Sequence, residues 1–306
     1  MRLETNLLKG IPVRDAVFKE IKAKVQQNLA AGGRRPGLAV ILVGEDPASA
    51  VYVKHKAKGC EEVGFHHETH ELDASVSEAE VLALVDQLNK DQSIDGILIQ
   101  LPMPKGLDQD RILETVLPSK DVDGFHPYNL GKLVSGSPTF VPCTPKGVLR
   151  LLKHYGIPLT GRSVAIVGRS VIVGRPLSML MSLKGEFANA TVTMCHSGTK
   201  DLRQVTLEAD VVVAAVGVAH LLGPDDVKPG AVVVDVGINR IDAPERKSGT
   251  RLVGDADFKS MIGHVSAVTP VPGGIGPMTI AMLLENTWEA MCRREAIEQE
   301  LGDGSV

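Results

Sequence analysis

Apolar residues recur at helical spacing through Val13, Val17, Ile21, Val25 and Leu29, and a continuous apolar run, LAVILVG at 38–44, follows them. The first pattern predicts a helix over 12–31 with one buried face, the second a buried strand. Next come a helix at SAVYVKHKAKGCEEVG (49–64), a strand at HHETHEL (66–72), an amphipathic helix at 77–91 and a buried strand at DGILIQLP (95–102). Ser77 and Glu80 stand at the spacing of a capping box, which marks the start of the third helix. After a cluster of small residues and prolines at SGSPTFVPCTPKG (135–147), the alternation restarts. It runs through a short helix at 147–155, strands at SVAIVG, ATVTMC, DVVVAAVG and GAVVVDVG with helices between the first three, a last apolar run HVSAVTPVP, and a closing helix. Strands alternating with helices imply parallel sheets covered on both faces. The charged stretch DAPERKSGTR (242–251) is expected to be a solvated loop and GDGSV (302–306) a loose tail.

The proline-rich stretch near 140 divides the pattern into two α/β domains, in keeping with 306 residues at 43% hydrophobic content. A net charge of −4, without a basic cluster interleaved with aromatics, argues against a nucleic-acid partner. The longest apolar stretch, VVVAAVGVAHLL (211–222), is too short for a bilayer, and the opening residues read as neither a secretory signal nor a transit peptide. These features predict a cytoplasmic protein with no membrane partner. Four cysteines (60, 143, 195, 292) without a C-x-x-C pair argue against disulfides or structural zinc and read as buried or incidental.

Several stretches carry candidate chemistry. VAIVGRSVIVGRPLSMLM (164–181) places Gly168 and Gly174 between a buried strand and a helix, a turn suited to an anion at a helix N-terminus or to ordinary tight βα packing. The next strand ends in CHSGTK with no acid to hold ribose hydroxyls, while Arg169 and Ser170 sit in the turn, a combination that favours NADP over NAD unless Arg169 and Lys200 are only solvated surface charges. TPVPGGIGPMT (269–279) is a shaped loop whose backbone can approach a ligand closely, or a hinge. Gln100 follows a buried strand where open α/β sheets place ligands, either to meet one or simply to satisfy backbone groups, and Asp121 and Asp123 lie two apart in KDVDGFHP, as ligands or as Asx-turn residues. Tyr52 and Lys56, four apart, share a helix face, with Lys54 and Lys58 turned away. Turned into a cleft, Lys56 would lose its proton more readily and act as a base; on the surface it would pair with an acid. His66, Glu68 and His70 share a strand face, but an exposed edge strand explains them better than a metal.

Taken in order, YVKHK, ILIQLPMP, KDVDGFHP, PCTPKG, VGRSVIVGRP and PGGIGPMT resemble the bifunctional methylenetetrahydrofolate dehydrogenase/cyclohydrolase family of the FolD type, from about residue 5 to 292. Val171 stands where the family usually has Asn, which removes a polar group near the cofactor. The resemblance implies an N-terminal folate-site domain (1–142, completed by a C-terminal helix 277–306), a Rossmann-like NADP-binding domain (143–276) and a cleft between them. It implies oxidation of 5,10-methylenetetrahydrofolate with NADP⁺ and hydrolysis of the methenyl product to 10-formyltetrahydrofolate, by a homodimer. By motif, Lys56 serves the cyclohydrolase step, Gln100 hydrogen-bonds it, Tyr52 stacks on the folate and Asp123 grips the pterin. Leu101, Pro272, Gly273 and Gly274 line the folate side, and Gly168, Arg169, Ser170, Ser197 and Ile238 contact NADP. A dehydrogenase without cyclohydrolase activity would be expected to lack Lys56. A silent binding protein would be expected to have lost Lys56, Gln100 or the glycine loops.

Overall fold

The computed structural model describes residues 3–246 and 249–302. The chain forms two compact units, one made of Asp15–Cys143 and the chain from Ile280 on, the other of the residues up to Arg14 and Thr144–Thr279. Eleven strands occur among the described residues: β1 (Asn6–Leu7), β2 (Gly37–Val43), β3 (His66–Leu72), β4 (Gly96–Ile99), β5 (Ser163–Val167), β6 (Thr191–Cys195), β7 (Val211–Ala214), β8 (Val232–Asp235), β9 (Asn239–Asp242), β10 (Thr250–Val253) and β11 (Ala267–Val268).

In the first unit the sheet order is β3-β2-β4, all parallel. Every residue of β2 and β4 is buried, as their unbroken apolar runs require, whereas β3 alternates at the sheet edge. Its His66 and His70 both contact Glu68, at 3.1 and 3.2 Å. The helix Pro47–Val63 is capped at its start by Asp46, which accepts from Ser49 N at 2.7 Å, and ends at Gly64 in the left-handed region. The expected capping box forms: Ser77 Oγ accepts from Glu80 N, and Glu80 accepts from Ser77 N. Val81, Val85 and Leu88 of that helix pack with Ile41, Ile97 and Ile99 into one core. Two short helices, Gln109–Thr115 and Pro127–Val134, occupy stretches for which no periodicity was evident.

In the second unit six parallel strands run in the order β1-β11-β8-β7-β5-β6. The chain moves from β5 to β6 on one side and to β7 on the other, so the sheet is doubly wound, with its switch point at the carboxyl end of β5. Residues before Asp15, expected in the first domain, group with this unit because β1 pairs with β11. The expected loop at 242–251 is flanked by paired strands: β9 and β10 form an antiparallel ribbon that takes in Asp242, Thr250 and Arg251. The closing helix spans Gly276–Gly302, and the rest of the expected tail lies outside the described residues. No helix among the described residues is long and apolar enough to cross a membrane.

Candidate active site

The small sheet reverses strand order at β2, with β3 on one side and β4 on the other, so its carboxyl edge is a switch point of its own. Gln100 leaves β4 at that edge, and its backbone N–H continues the ladder to Ile41 O at 2.8 Å. The helix after β2 carries Lys56 to the same place, where Lys56 Nζ donates to Gln100 Oε1 at 2.7 Å. Gln100 Nε2 donates to Leu101 O at 2.7 Å, which holds the amide with its oxygen toward the lysine. The Leu101–Pro102 peptide is cis. Lys54 and Lys58 are exposed, Lys56 is half-buried, and Tyr52, one turn earlier, is 39% exposed. Tyr52 and Lys56 thus share a face, but the ring is the more open of the two.

The two aspartates of KDVDGFHP have separate tasks. Asp121 is buried and accepts from the backbone N–H groups of Gly124, Phe125 and His126 and from Asn129 Nδ2, so its carboxylate shapes the turn. Lys120 O accepts from Ile97 N at 2.8 Å, which lays this segment along β4. Asp123 then emerges beside Lys56. Burial raises the Asp123 carboxyl to about 6, with Lys56 opposing the shift and Asp121 adding to it. Burial likewise lowers the Lys56 ammonium from its ordinary value, with Asp123 opposing. Desolvation therefore pushes both members of the pair toward their neutral forms and brings the proton affinities of the lysine and the carboxyl closer together.

Cys143 was not among the expected site residues, yet its thiol is shared between the Asp123 carboxyl and the Val122 carbonyl, the latter at 3.5 Å. Asn286, buried in the closing helix, donates to Val122 O at 2.8 Å and Val141 O at 3.1 Å, joining the Asp123 turn to the segment that ends in Cys143. No base partner for a cysteine was visible in the chain order, and only the fold supplies this carboxyl. Cys60 and Cys195 are buried and Cys292 is exposed.

In the second unit, Gly168 closes β5 with φ 130°, and a Cβ there would overlap the Ala215 carbonyl oxygen. Gly168 N donates to Cys195 O at 2.9 Å, so 168–170 and 196–198 share the carboxyl edge of β5 and β6. Arg169, Ser170 and Ser197 are exposed there. Ser170 Oγ accepts from Val173 N at 3.1 Å and Gly174 N at 3.4 Å at the start of the helix Gly174–Ser182, which leaves its O–H to donate outward. Val171 and Ile172 are exposed, at 55% and 43%. With glycine in the turn, a cation and a hydroxyl at the edge, and no acid before Asp201, the residues fit a dinucleotide bearing a 2′-phosphate.

Ile238, 47% exposed, stands apart from that group, past β8. The loop after β11 contains the cis peptide Val271–Pro272, Gly273 with φ 102° and Gly274; Gly273 O accepts from Gly10 N at 2.8 Å. Pro272 borders a cavity of about 460 Å³ whose wall includes Arg240, Arg251 and Lys259.

A doubly wound sheet fitted for a phosphorylated dinucleotide, in a chain that also carries a desolvated lysine–carboxyl pair, defines a nucleotide-dependent dehydrogenase equipped for proton transfer. The family model for the tetrahydrofolate dehydrogenase/cyclohydrolase catalytic domain matches residues 8–123, and that for the NAD(P)-binding domain of the same family matches 142–295. A protein named bifunctional protein FolD from Chlorobium limicola is 50% identical over 294 residues, 95% of this chain and 99% of its own. The crystal structure of the bifunctional FolD dehydrogenase/cyclohydrolase from Campylobacter jejuni is 47% identical, with a TM-score of 0.89 over 95% of this chain and 99% of that one. The Trypanosoma brucei enzyme, in complex with NADP and an inhibitor, is 35% identical with a TM-score of 0.89, over 95% and 98%. The chain belongs to the tetrahydrofolate dehydrogenase/cyclohydrolase family. It oxidises 5,10-methylenetetrahydrofolate with a nicotinamide dinucleotide and hydrolyses the methenyl product to 10-formyltetrahydrofolate.

Proposed function

We propose that Lys56 is the proton carrier of the hydrolytic step, with Gln100 and Asp123 setting its protonation state. The observation that carries this reading is the Lys56–Gln100 hydrogen bond in a desolvated pocket also facing Asp123. Neutral Lys56 takes a proton from the water that adds to the methenyl carbon. It then returns that proton to N5 as the C–N5 bond breaks. Loss of the hydroxyl proton leaves the formyl group on N10, so one proton is released overall. Asp123 binds the pterin, Tyr52 packs on the folate, and Leu101 lines its site.

NADP⁺, when bound, accepts the hydride. The chain's own contribution to that step is positioning, since the substrate nitrogens already drive hydride loss. Gly168, Arg169, Ser170 and Ser197 hold the phosphate-bearing end and Ile238 lies further along the edge. On this reading the unit containing Lys56 is the folate unit and the six-stranded unit is the cofactor unit. The family resemblance also supports a homodimer acting in the cytoplasm.

The test follows absorbance of the methenyl band with purified protein, 5,10-methylenetetrahydrofolate and either NADP⁺ or NAD⁺. Arg169→Ala is expected to raise the KM for NADP⁺ roughly tenfold or more, the worth of a charge-assisted phosphate contact, while leaving the KM for NAD⁺ within about twofold. Equal effects on the two cofactors would remove Arg169 from the phosphate site.

A second prediction concerns stability. A carboxyl raised from 3.8 to about 6 holds a proton in the folded chain that the unfolded chain has released, so its stabilising contribution is present below about pH 4 and lost as pH rises through 6. Asp123→Asn is therefore expected to be more resistant to urea than the native chain at pH 8 by about 1–2 kcal/mol, and by much less at pH 4.5, while substrate affinity falls. Denaturation midpoints at the two pH values check it; a variant less stable at pH 8 would show that its contacts outweigh its desolvation.

A further inference from the structure

Asp255 has no exposed surface and forms no ion pair among the described residues. Its Oδ2 accepts from Val216 N at 2.7 Å and Gly217 N at 3.0 Å, and its Oδ1 accepts from Asn239 Nδ2 at 2.9 Å. Val216 and Gly217 leave β7, and Asn239 lies just past Ile238 on the exit from β8. One buried carboxylate therefore ties the carboxyl end of β7 to the first residue of β9, at the far end of the short segment by which the chain leaves β8. The chain passes so close that a Cβ at Gly237 would overlap Asp255 Oδ1. A second buried carboxylate, Asp235, anchors the clamp by accepting from the backbone N–H groups of Asp255 and Ala256.

The outcome of this arrangement faces outward. The two exits expose apolar side chains, Val216 at 38%, Val218 at 51% and Ile238 at 47%, on a sheet edge where ligands of open α/β folds bind. Arg169, Ser170 and Ser197 stand at β5 and β6, while β7 and β8 lie on the other side of β5. A dinucleotide whose phosphorylated end is held at β5 and β6 brings its other end across β7 and β8.

We propose that Asp255 is a positioning residue for the cofactor, fixing the β7 and β8 exits so that Val216 and Ile238 form a shelf for the nicotinamide ring. This inference rests on the NADP site proposed above. The carboxylate is suited to the task because all three of its side-chain partners are donors. An asparagine would turn an NH₂ either toward the two backbone N–H groups, which cannot accept, or toward Asn239, whose amide would have to flip to accept it, so the tie to the segment after β8 is remade or lost.

Asp255→Asn is expected to raise the KM for NADP⁺ roughly tenfold and to lower kcat for oxidation by a similar factor, the effect of one unsatisfied buried group. Hydrolysis of methenyltetrahydrofolate supplied alone should stay within about twofold of native. The inhibition constant of adenosine 2′,5′-bisphosphate, which has no nicotinamide end, should also be unchanged, a result that general loosening of the unit would not produce. Asn239→Ala removes only the tie to the β8 exit and keeps the test available if Asp255→Asn does not fold; it should raise the KM for NADP⁺ about threefold. Equal weakening of NADP⁺ and the bisphosphate, or no weakening of NADP⁺ by either variant, would overturn the proposal. A native protein that fails to oxidise with NADP⁺ would instead refute the cofactor site on which it rests.

Discussion

Lys56→Ala is expected to slow enzymatic hydrolysis of methenyltetrahydrofolate by about 10²–10⁴-fold, the usual contribution of a positioned acid–base group. Oxidation of the methylene substrate should fall much less, because hydride departure is driven by the substrate's own nitrogens. Lys56→Arg separates charge from proton transfer. A guanidinium keeps a positive charge but does not release its proton at accessible pH, so this variant should be as inactive in hydrolysis as the alanine. The lysine's low proton affinity comes from desolvation. Stopped-flow decay of the methenyl band above its spontaneous rate reads all three proteins. Recovery of most of the hydrolysis by arginine would mean that the site needs only a cation there, and the proton-carrier role would fall.

Gly168→Ala should be the most damaging substitution at the cofactor edge. A φ of 130° is open to glycine and strained for any other residue, and the added Cβ would overlap the Ala215 carbonyl oxygen. Neither side can yield freely: Ala215 N donates to Val167 O at 2.8 Å and Gly168 N to Cys195 O at 2.9 Å, so movement breaks pairing on one flank of β5 or the other. The expected loss is about 3–5 kcal/mol of stability in that unit, with NADPH binding reduced at least in proportion. Gly161 provides the comparison. Its φ is 74°, but nothing lies within 4 Å of its Cβ position, so Gly161→Ala should cost only the backbone strain, about 1–2 kcal/mol. Urea midpoints and NADPH fluorescence titrations of both variants check the difference. Similar losses at the two positions would mean that the contact with Ala215 is easily relieved.

Much of the architecture is legible in the chain because its signals are local. Unbroken apolar runs mark β2, β4, β5, β7 and β8, whose residues are almost all buried. The capping box at Ser77 and Glu80 and the helical face of Val13, Val17, Ile21 and Val25 are likewise set within a few residues of each other. The strands that escape such reading are short or polar. β1 has two residues, too few for any periodicity, and exists because β11 offers it a parallel edge. β9 and β10 sit in a charged stretch and are strands because they pair with each other.

The site divides along the same line. Lys56, Gln100 and Asp123 can be named from motif order, and their chain separation hides nothing about their identity. Their protonation cannot be so read, since it follows from desolvation, and desolvation depends on what distant segments the fold packs around each charge. The difference between Asp121, which spends its carboxylate on three backbone N–H groups and Asn129, and Asp123, which faces Lys56, is of that kind. So are the Cys143 thiol on Asp123 and the grip of Asp255 on two strand exits. Hydrophobic period, turn chemistry and the inventory of reactive groups are properties of neighbouring residues and are carried by the chain itself. Which of those groups is buried, which is paired and which is left to meet a ligand arises only when parallel strands and helices distant in sequence close around them.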